Sequence, residues 1–413
     1  MVDYKQTDIG CIPKDWDVKK LGSILQSTQL GGNYPNTESI TKYPLIKMGN
    51  LARGYIDLSK IEYVSNGIIP TYRDKLSYGN VIFNTRNTLD LVGKVSIWRD
   101  ELQSAYFNSN IMRLKFKKQF VSSDFFINNI FNSKNLISQL RNIATGTTSV
   151  AAIYTRDLIN IQIPLPPLKE QEAIAEVLSD ADALITALEK RIAKKRNIKQ
   201  GTMQTLLTPK DDWEVKKLGE IAEITSAGVD KKINPNETQV ALLNYMDVYK
   251  RDYIFRNELN HNVTAPFSKK INCNVKKSDI FLLPSSETRT DIGTCAISME
   301  DMDGVVYSYH IFRLRYLIDI DELFGMFMLK TQSFLNQSEM LCEGSGKRYV
   351  VSMNKFRSME VYYPKLKTEQ TRIATILSDM DSEIVALGKK LSKTKGLKQG
   401  LMQQLLTGKI RLV

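Results

Sequence analysis

Arg86 stands in the polar run Asn84-Thr85-Arg86-Asn87, directly after the apolar stretch Val81-Ile82-Phe83, and Arg289 holds the matching place in the second half of the chain, beside Ser285 and Ser286. Guanidinium and carboxamide groups can form paired hydrogen bonds to base edges, while hydroxyls and point cations suit phosphate oxygens. Lys47, Asn50 and Arg53 offer the same chemistry earlier in the first half. Thr145-Gly146-Thr147-Thr148, with Tyr154 and Arg156 following, adds a glycine loop that lets backbone approach a phosphate. Its counterpart is Gly344-Ser345-Gly346-Lys347-Arg348-Tyr349. Tyr307 and Ser308 stand where the first half has Phe107 and Asn108, just before an Ile-x-Arg-Leu segment in each half. The alternative for each of these is a turn residue that satisfies its own backbone, or a solvated basic turn. For His310 it is a packed or surface histidine.

Other chemistry is poorly supported. The Gly344 run is not a phosphate loop, because Leu341 occupies the place of its first glycine and Arg348, not Ser or Thr, follows Lys347. The chain has 2 histidines, His261 and His310, and neither stands at a metal-ligand or nucleophile-base spacing. No glycine-rich dinucleotide fingerprint and no Asn-Pro-Pro-aromatic or Asp-Pro-Pro-Tyr run of a base methyltransferase is present. The acidic pairs Asp180/Asp182 and Asp379/Asp381 lie within helical patterns and read as solvated or partner-facing charge. Cys11, Cys273, Cys295 and Cys342 are too scattered to clasp a metal, which fits a reducing compartment. A polar start without a signal-peptide core, and Asp319, Asp321 and Glu322 interrupting the most apolar late stretch, point to a cytoplasmic protein with no membrane span. A formal charge of +12 and a pI near 9.2 point to a polyanionic partner.

The elements that must position these loops are duplicated. Leu178-Ser179-Asp180, Lys199-Gln200-Gly201 and Leu206-Leu207-Thr208 recur 199 residues later as Leu377-Ser378-Asp379, Lys398-Gln399-Gly400 and Leu405-Leu406-Thr407. Trp16 to Gly22 is echoed by Trp213 to Gly219. Within the repeated block Ile174, Leu178, Ala181, Ile185, Leu188 and Ile192 follow steps of four and three, and Ile373, Leu377, Met380, Ile384, Leu387 and Leu391 keep the same register. Each set is an a/d seam that needs a partner helix, and the simplest partner is the other copy. A helix from Lys169 to Leu207 would reach roughly 55–60 Å at the standard rise per residue. Prolines precede both helices, acids open them and lysines and arginines close them, which suits the helix dipole and an antiparallel pair. Residues 1–163 and 209–363, rich in β-branched and aromatic residues, read as two α+β (mixed α/β) globular domains; 164–208 and 364–413 carry the two long helices. Gly93 with Gly293, and Ile111 to Leu114 with Ile311 to Leu314, mark a shared scaffold on which exposed positions diverge.

The duplicated Pro166-to-Gln171 and Pro364-to-Gln370 openings, the Leu-Ser-Asp and Lys-Gln-Gly blocks, the closing Met203 to Leu207 and Met402 to Leu406, and the Trp16 and Trp213 segments together resemble the specificity subunit of type I restriction-modification systems over essentially the whole chain. The resemblance implies two target recognition domains separated by two antiparallel coiled-coil helices, an internal pseudo-twofold repeat. It further implies that each domain binds one half of a bipartite double-stranded DNA target and that the helix pair sets the gap. Two methyltransferase subunits would dock on the conserved regions, and motor-nuclease subunits would join them. This chain would then carry no cofactor, with S-adenosylmethionine, ATP and magnesium on the partners. A stand-alone nuclease or methyltransferase and a scaffold without a nucleic-acid role are the competing classes.

Overall fold

The four-and-three spacing becomes two helices of 39 residues, Leu168–Leu206 and Lys367–Leu405, in a computed structural model that describes residues 3–226, 228–231, 233–346 and 348–412. The chain folds as two compact units, Met1–Glu189 with Lys389–Val413, and Lys190–Gly388. Each unit therefore contains one globular domain and part of both long helices.

In the first unit a four-stranded antiparallel sheet runs in the order Val95–Ile97, Val81–Asn84, Ile111–Phe116, Leu25–Leu30. Alternate side chains leave a strand on opposite faces, and both faces here are covered. Val81 and Phe83 enter a core with Trp16, Phe126 and Phe131, while Ile82 enters another with Trp98 and Phe107. Double-sided cover is why the whole of Val81–Asn84 is buried. A second sheet pairs Tyr106–Phe107 in parallel with Pro44–Ile46 and continues through Glu62–Val64 to Asn36–Thr37.

The second unit repeats the plan. Ala222–Thr225, Phe312–Tyr316, Ile280–Leu282 and Cys295–Ser298 form the equivalent sheet, with Tyr253–Ile254 as a fifth, parallel strand. Ile280 and Leu282 face one core and Phe281 the other. The arginine of each Ile-x-Arg-Leu strand is structural. Arg113 lies 5.3 Å over Phe107 and bonds the Lys75 and Arg73 carbonyls, and Arg313 lies 5.2 Å over Tyr307 and bonds the Asn274 carbonyl.

A two-stranded ladder delivers the chain to each long helix, Asp17–Lys20 with Gln162–Leu165 in the first unit and Trp213–Lys217 with Glu360–Pro364 in the second. A buried glutamine then fixes the helix opening. Gln171 donates to the Pro166 and Phe120 carbonyls and accepts from Ser122 N, while Gln370 donates to the Pro364 carbonyl and accepts from Asp321 N. Lys367-Thr368-Glu369-Gln370 has one residue more than Lys169-Glu170-Gln171, yet the glutamine holds the carbonyl of a preceding proline in both.

Within each unit the helices run antiparallel. In the first, Leu405 and Leu406 join the core around Ile174 and Leu178, and Lys398–Asp182 (2.5 Å) and Lys395–Glu189 (2.7 Å) bridge the pair. In the second, Leu207 packs with Ile373 and Leu377, and Lys199–Asp381 (2.5 Å) and Lys195–Glu383 (2.7 Å) are the bridges. The lysines in the later turns of each helix thus meet acids on the middle turns of the partner helix. Ile174, Leu178, Leu188, Ile192, Ile373, Leu377 and Leu387 are buried, and Ala181, Ile185, Met380, Ile384 and Leu391 half-buried. Among the described residues no helix is long and apolar enough to cross a membrane, and Cys11, Cys295 and Cys342 form no disulfide.

Candidate nucleic-acid interface

Two loops that lie some sixty residues apart in sequence meet on one small sheet in each unit. In the first, Arg86–Asn87 pairs with Ala151–Ala152, which pairs with Thr145–Gly146. In the second, Ser285–Ser286 pairs with Arg348–Val350, which pairs with Glu343–Ser345. Gly146 (φ +131°) and Gly344 (φ +115°) occupy matching places, in backbone that favours glycine and where a Cβ would strike the Val150 and Arg348 carbonyls respectively.

On the first small sheet Arg86 is exposed, its backbone N–H held by Asn84 Oδ1 at 3.1 Å. Among the described residues its guanidinium makes no ion pair or side-chain hydrogen bond. Tyr154 is exposed with Arg156 5.4 Å over its ring, and Thr147 is exposed, its hydroxyl accepting from Val150 N. Asn87 is half-buried and accepts from Thr88 N. On the second, exposed Arg289 stacks 4.9 Å over Tyr349, and Arg348 reaches Ser285 Oγ at 3.4 Å. Lys347 lies outside the described residues.

Several sequence candidates prove to be interior. Tyr307 is fully buried, with its hydroxyl on Thr225 Oγ1 and its ring under Arg313, so it is a core platform and not a DNA contact. Ser308 is fully buried beside it and accepts from His310 N. Thr85 is buried, with its hydroxyl on the Asn110 carbonyl. Asn50 is buried as well, its amide donating to the Asp57 and Lys60 carbonyls while its oxygen accepts from Lys47 N, so the bland turn reading holds there. Lys47 pairs with Glu62 at 2.8 Å. Ser285 is buried and Ser286 Oγ donates to Asp291, so both shape the loop that presents Arg289. Asn84 is buried yet its Nδ2 has no acceptor, and half-buried Arg53 likewise has an unsatisfied Nη1.

Tyr309 and Lys231 are not among the sequence candidates, and His310 reads from the sequence as a packed or surface histidine. Exposed Tyr309 stacks 3.8 Å from His310, and burial, followed by the charges of Arg348 and Lys231, holds the imidazole below its ordinary pKa. The second unit thus gathers Arg289, Arg348, Lys231, His310 and two exposed or half-exposed tyrosines around one small sheet, a surface of cations and stacking rings suited to phosphate and base. Lys231 carries no local pattern in the sequence; only its place beside the sheet marks it.

Comparison with known proteins agrees with this architecture. The chain matches the type I restriction modification DNA specificity domain twice, over residues 13–199 and 210–394. It is similar to the type I restriction enzyme MjaVIII specificity subunit of Methanocaldococcus jannaschii, 26% identical over 430 residues and covering 97% of this chain and 94% of that one. Similarity to a putative MjaX specificity subunit of the same organism is 29% over 238 residues, spanning 52% of this chain and 55% of the relative. The chain also spans 94% of its own length, and 96% of the other's, against the crystal structure of the type I restriction-modification S subunit from M. genitalium, with a TM-score of 0.59 and 16% identity, a likeness of fold. With both halves matched and the two-domain, paired-helix architecture in place, the chain belongs to the family of type I restriction-modification specificity subunits.

Proposed function

We propose that this chain is the non-catalytic, DNA-reading component of its restriction-modification complex. Each unit reads one half of a bipartite double-stranded target through its small sheet and the loops beside it. The paired helices set the unread gap and offer docking surfaces to two methyltransferase subunits, which motor-nuclease subunits join; S-adenosylmethionine, ATP and magnesium belong to those partners. A cytoplasmic location follows from that role. The observation that carries the reading is the recurrence of one construction in both units: two sequence-distant loops meet on a small sheet that exposes Arg86 in one case and the Arg289–Tyr349 stack in the other.

Mapping methylated bases across the host genome tests it. A two-part motif with a fixed gap is expected, and Arg289→Ala should lower affinity by about 1–3 kcal/mol through one half-site only. A short unbroken motif, or a motif and affinity that Arg289→Ala leaves untouched, would count against the reading.

A further inference from the structure

Beside the first small sheet lies a group of cations with few carboxylates to offset them. Arg53 and Lys94 are half-buried, and Arg141 stands within electrostatic reach of Arg53, which in turn bears on Lys94. Among the described residues neither Arg53 nor Lys94 has a carboxylate at ion-pair distance, and Arg53 Nη1 is buried without an acceptor. Burial first, and the neighbouring cations second, hold both groups below their ordinary pKa. The acids nearby do not cancel this charge. Asp57 bears on Lys94 but accepts from Ser59 N, and Asp90, with its side chain 91% exposed, touches Arg141 only at 3.9 Å. That Asp90 contact, and the backbone bond from Asn84 N to the Lys94 carbonyl, place the cluster against the Arg86 loop.

The second unit lacks the cluster. Gly93 and Gly293 make the same backbone bond and back onto Leu140 and Ser338 respectively, so Lys94 corresponds to Thr294 and Arg141 to Glu339. Arg251 takes the place of Arg53, in the matching run Arg251 to Ile254, and is neutralised there by Asp247 at 2.7 Å and Glu258 at 3.4 Å. The Arg141 position, basic in one copy and acidic in the other, is not required by the fold, and the arginine that both copies keep is met by carboxylates in the second. Two half-buried cations with an exposed third within electrostatic reach, and a donor left open, call for an anion.

We infer that Arg53, Lys94 and Arg141 form a seat for one DNA backbone phosphate at the first half-site, with no counterpart in the second unit. The inference rests on the DNA-reading role proposed above. The seat fixes position and carries no sequence information, so its removal weakens all sequences alike.

The test measures affinity against salt for the full chain, purified as the complex it forms, on a duplex carrying the mapped target and on a scrambled duplex. Arg53→Gln and Lys94→Gln should each reduce the slope of log K against log salt by about 1 on both duplexes, so that the affinity lost between 50 and 200 mM salt shrinks roughly threefold. Arg53→Lys should restore most of the slope. Unchanged slopes in both glutamine variants, with unfolding transitions intact, would overturn the seat while leaving the wild-type DNA reading in place. A loss confined to the target duplex would overturn it too, by making Arg53 a base reader. Salt-independent or absent binding by the wild-type chain would bring down the DNA-reading role itself.

Discussion

The two units close the base of their long helices with the same residues and different bonds. In the first, Glu170 is wholly buried and accepts from Trp16 Nε1 at 3.0 Å and from Arg411 at 2.6 and 2.9 Å, while Arg411 also grips Asp15. In the second, Glu369 meets Lys210 at 2.6 Å, with the lysine side chain 54% exposed, and the equivalent Trp213 Nε1 is buried with no acceptor among the described residues. Duplication preserved the tryptophan, the glutamate and the glutamine that follows it. It did not preserve the network. The difference teaches that an inherited framework position can be essential in one copy and nearly idle in the other.

Three sets of substitutions would break or sharpen that contrast. The largest effect is expected from Glu170→Gln, which strips a buried charge from Arg411 and should cost about 3 kcal/mol, whereas Glu369→Gln should cost about 1 kcal/mol or less. Denaturant unfolding of the two variants would settle it, and equal losses would remove the asymmetry. Next come the helix bridges. Asp182 has Arg99 as a second cation, while among the described residues Asp381 has only the Tyr253 hydroxyl beside Lys199. Lys199→Met should therefore destabilise by about 2–3 kcal/mol and Lys398→Met by about 1 kcal/mol, the same measurement deciding. The smallest effect concerns pH. Both histidines lie in the second unit, and the imidazole of His310 is held below its ordinary value when folded. The unfolded chain then takes up the proton first, so stability falls as pH drops through the ordinary histidine range near 6.5 and levels off below the folded value. His310→Asn should flatten that part of the profile of unfolding midpoint against pH; an unaltered profile would mean His310 is not its source.

The paired helices are legible in the sequence because a seam is a one-dimensional pattern: steps of four and three mark Ile174 through Ile192 without knowledge of anything distant. The recognition loops are harder. In Asn84-Thr85-Arg86-Asn87 the polar types look equivalent, yet Arg86 alone is exposed, because the strand before it is covered on both faces and the first two residues stay inside. Tyr307 and Ser308 mislead for the same reason: a polar tip on a buried strand looks like a reader and serves as a platform. The meeting of the Arg86 and Thr145 loops depends on strand pairing across the domain, and neither local propensity nor spacing encodes it. Lys94 and Arg141 are likewise ordinary until the fold sets them beside Arg53.

Because the first unit is assembled from two separated stretches, its Glu170 must wait for Arg411 to be synthesised, whereas the second unit is complete in sequence by residue 388. Translation would thus release the later-encoded domain to fold before the earlier one is whole, and a frameshift or clipping near the far end would cripple the domain made first.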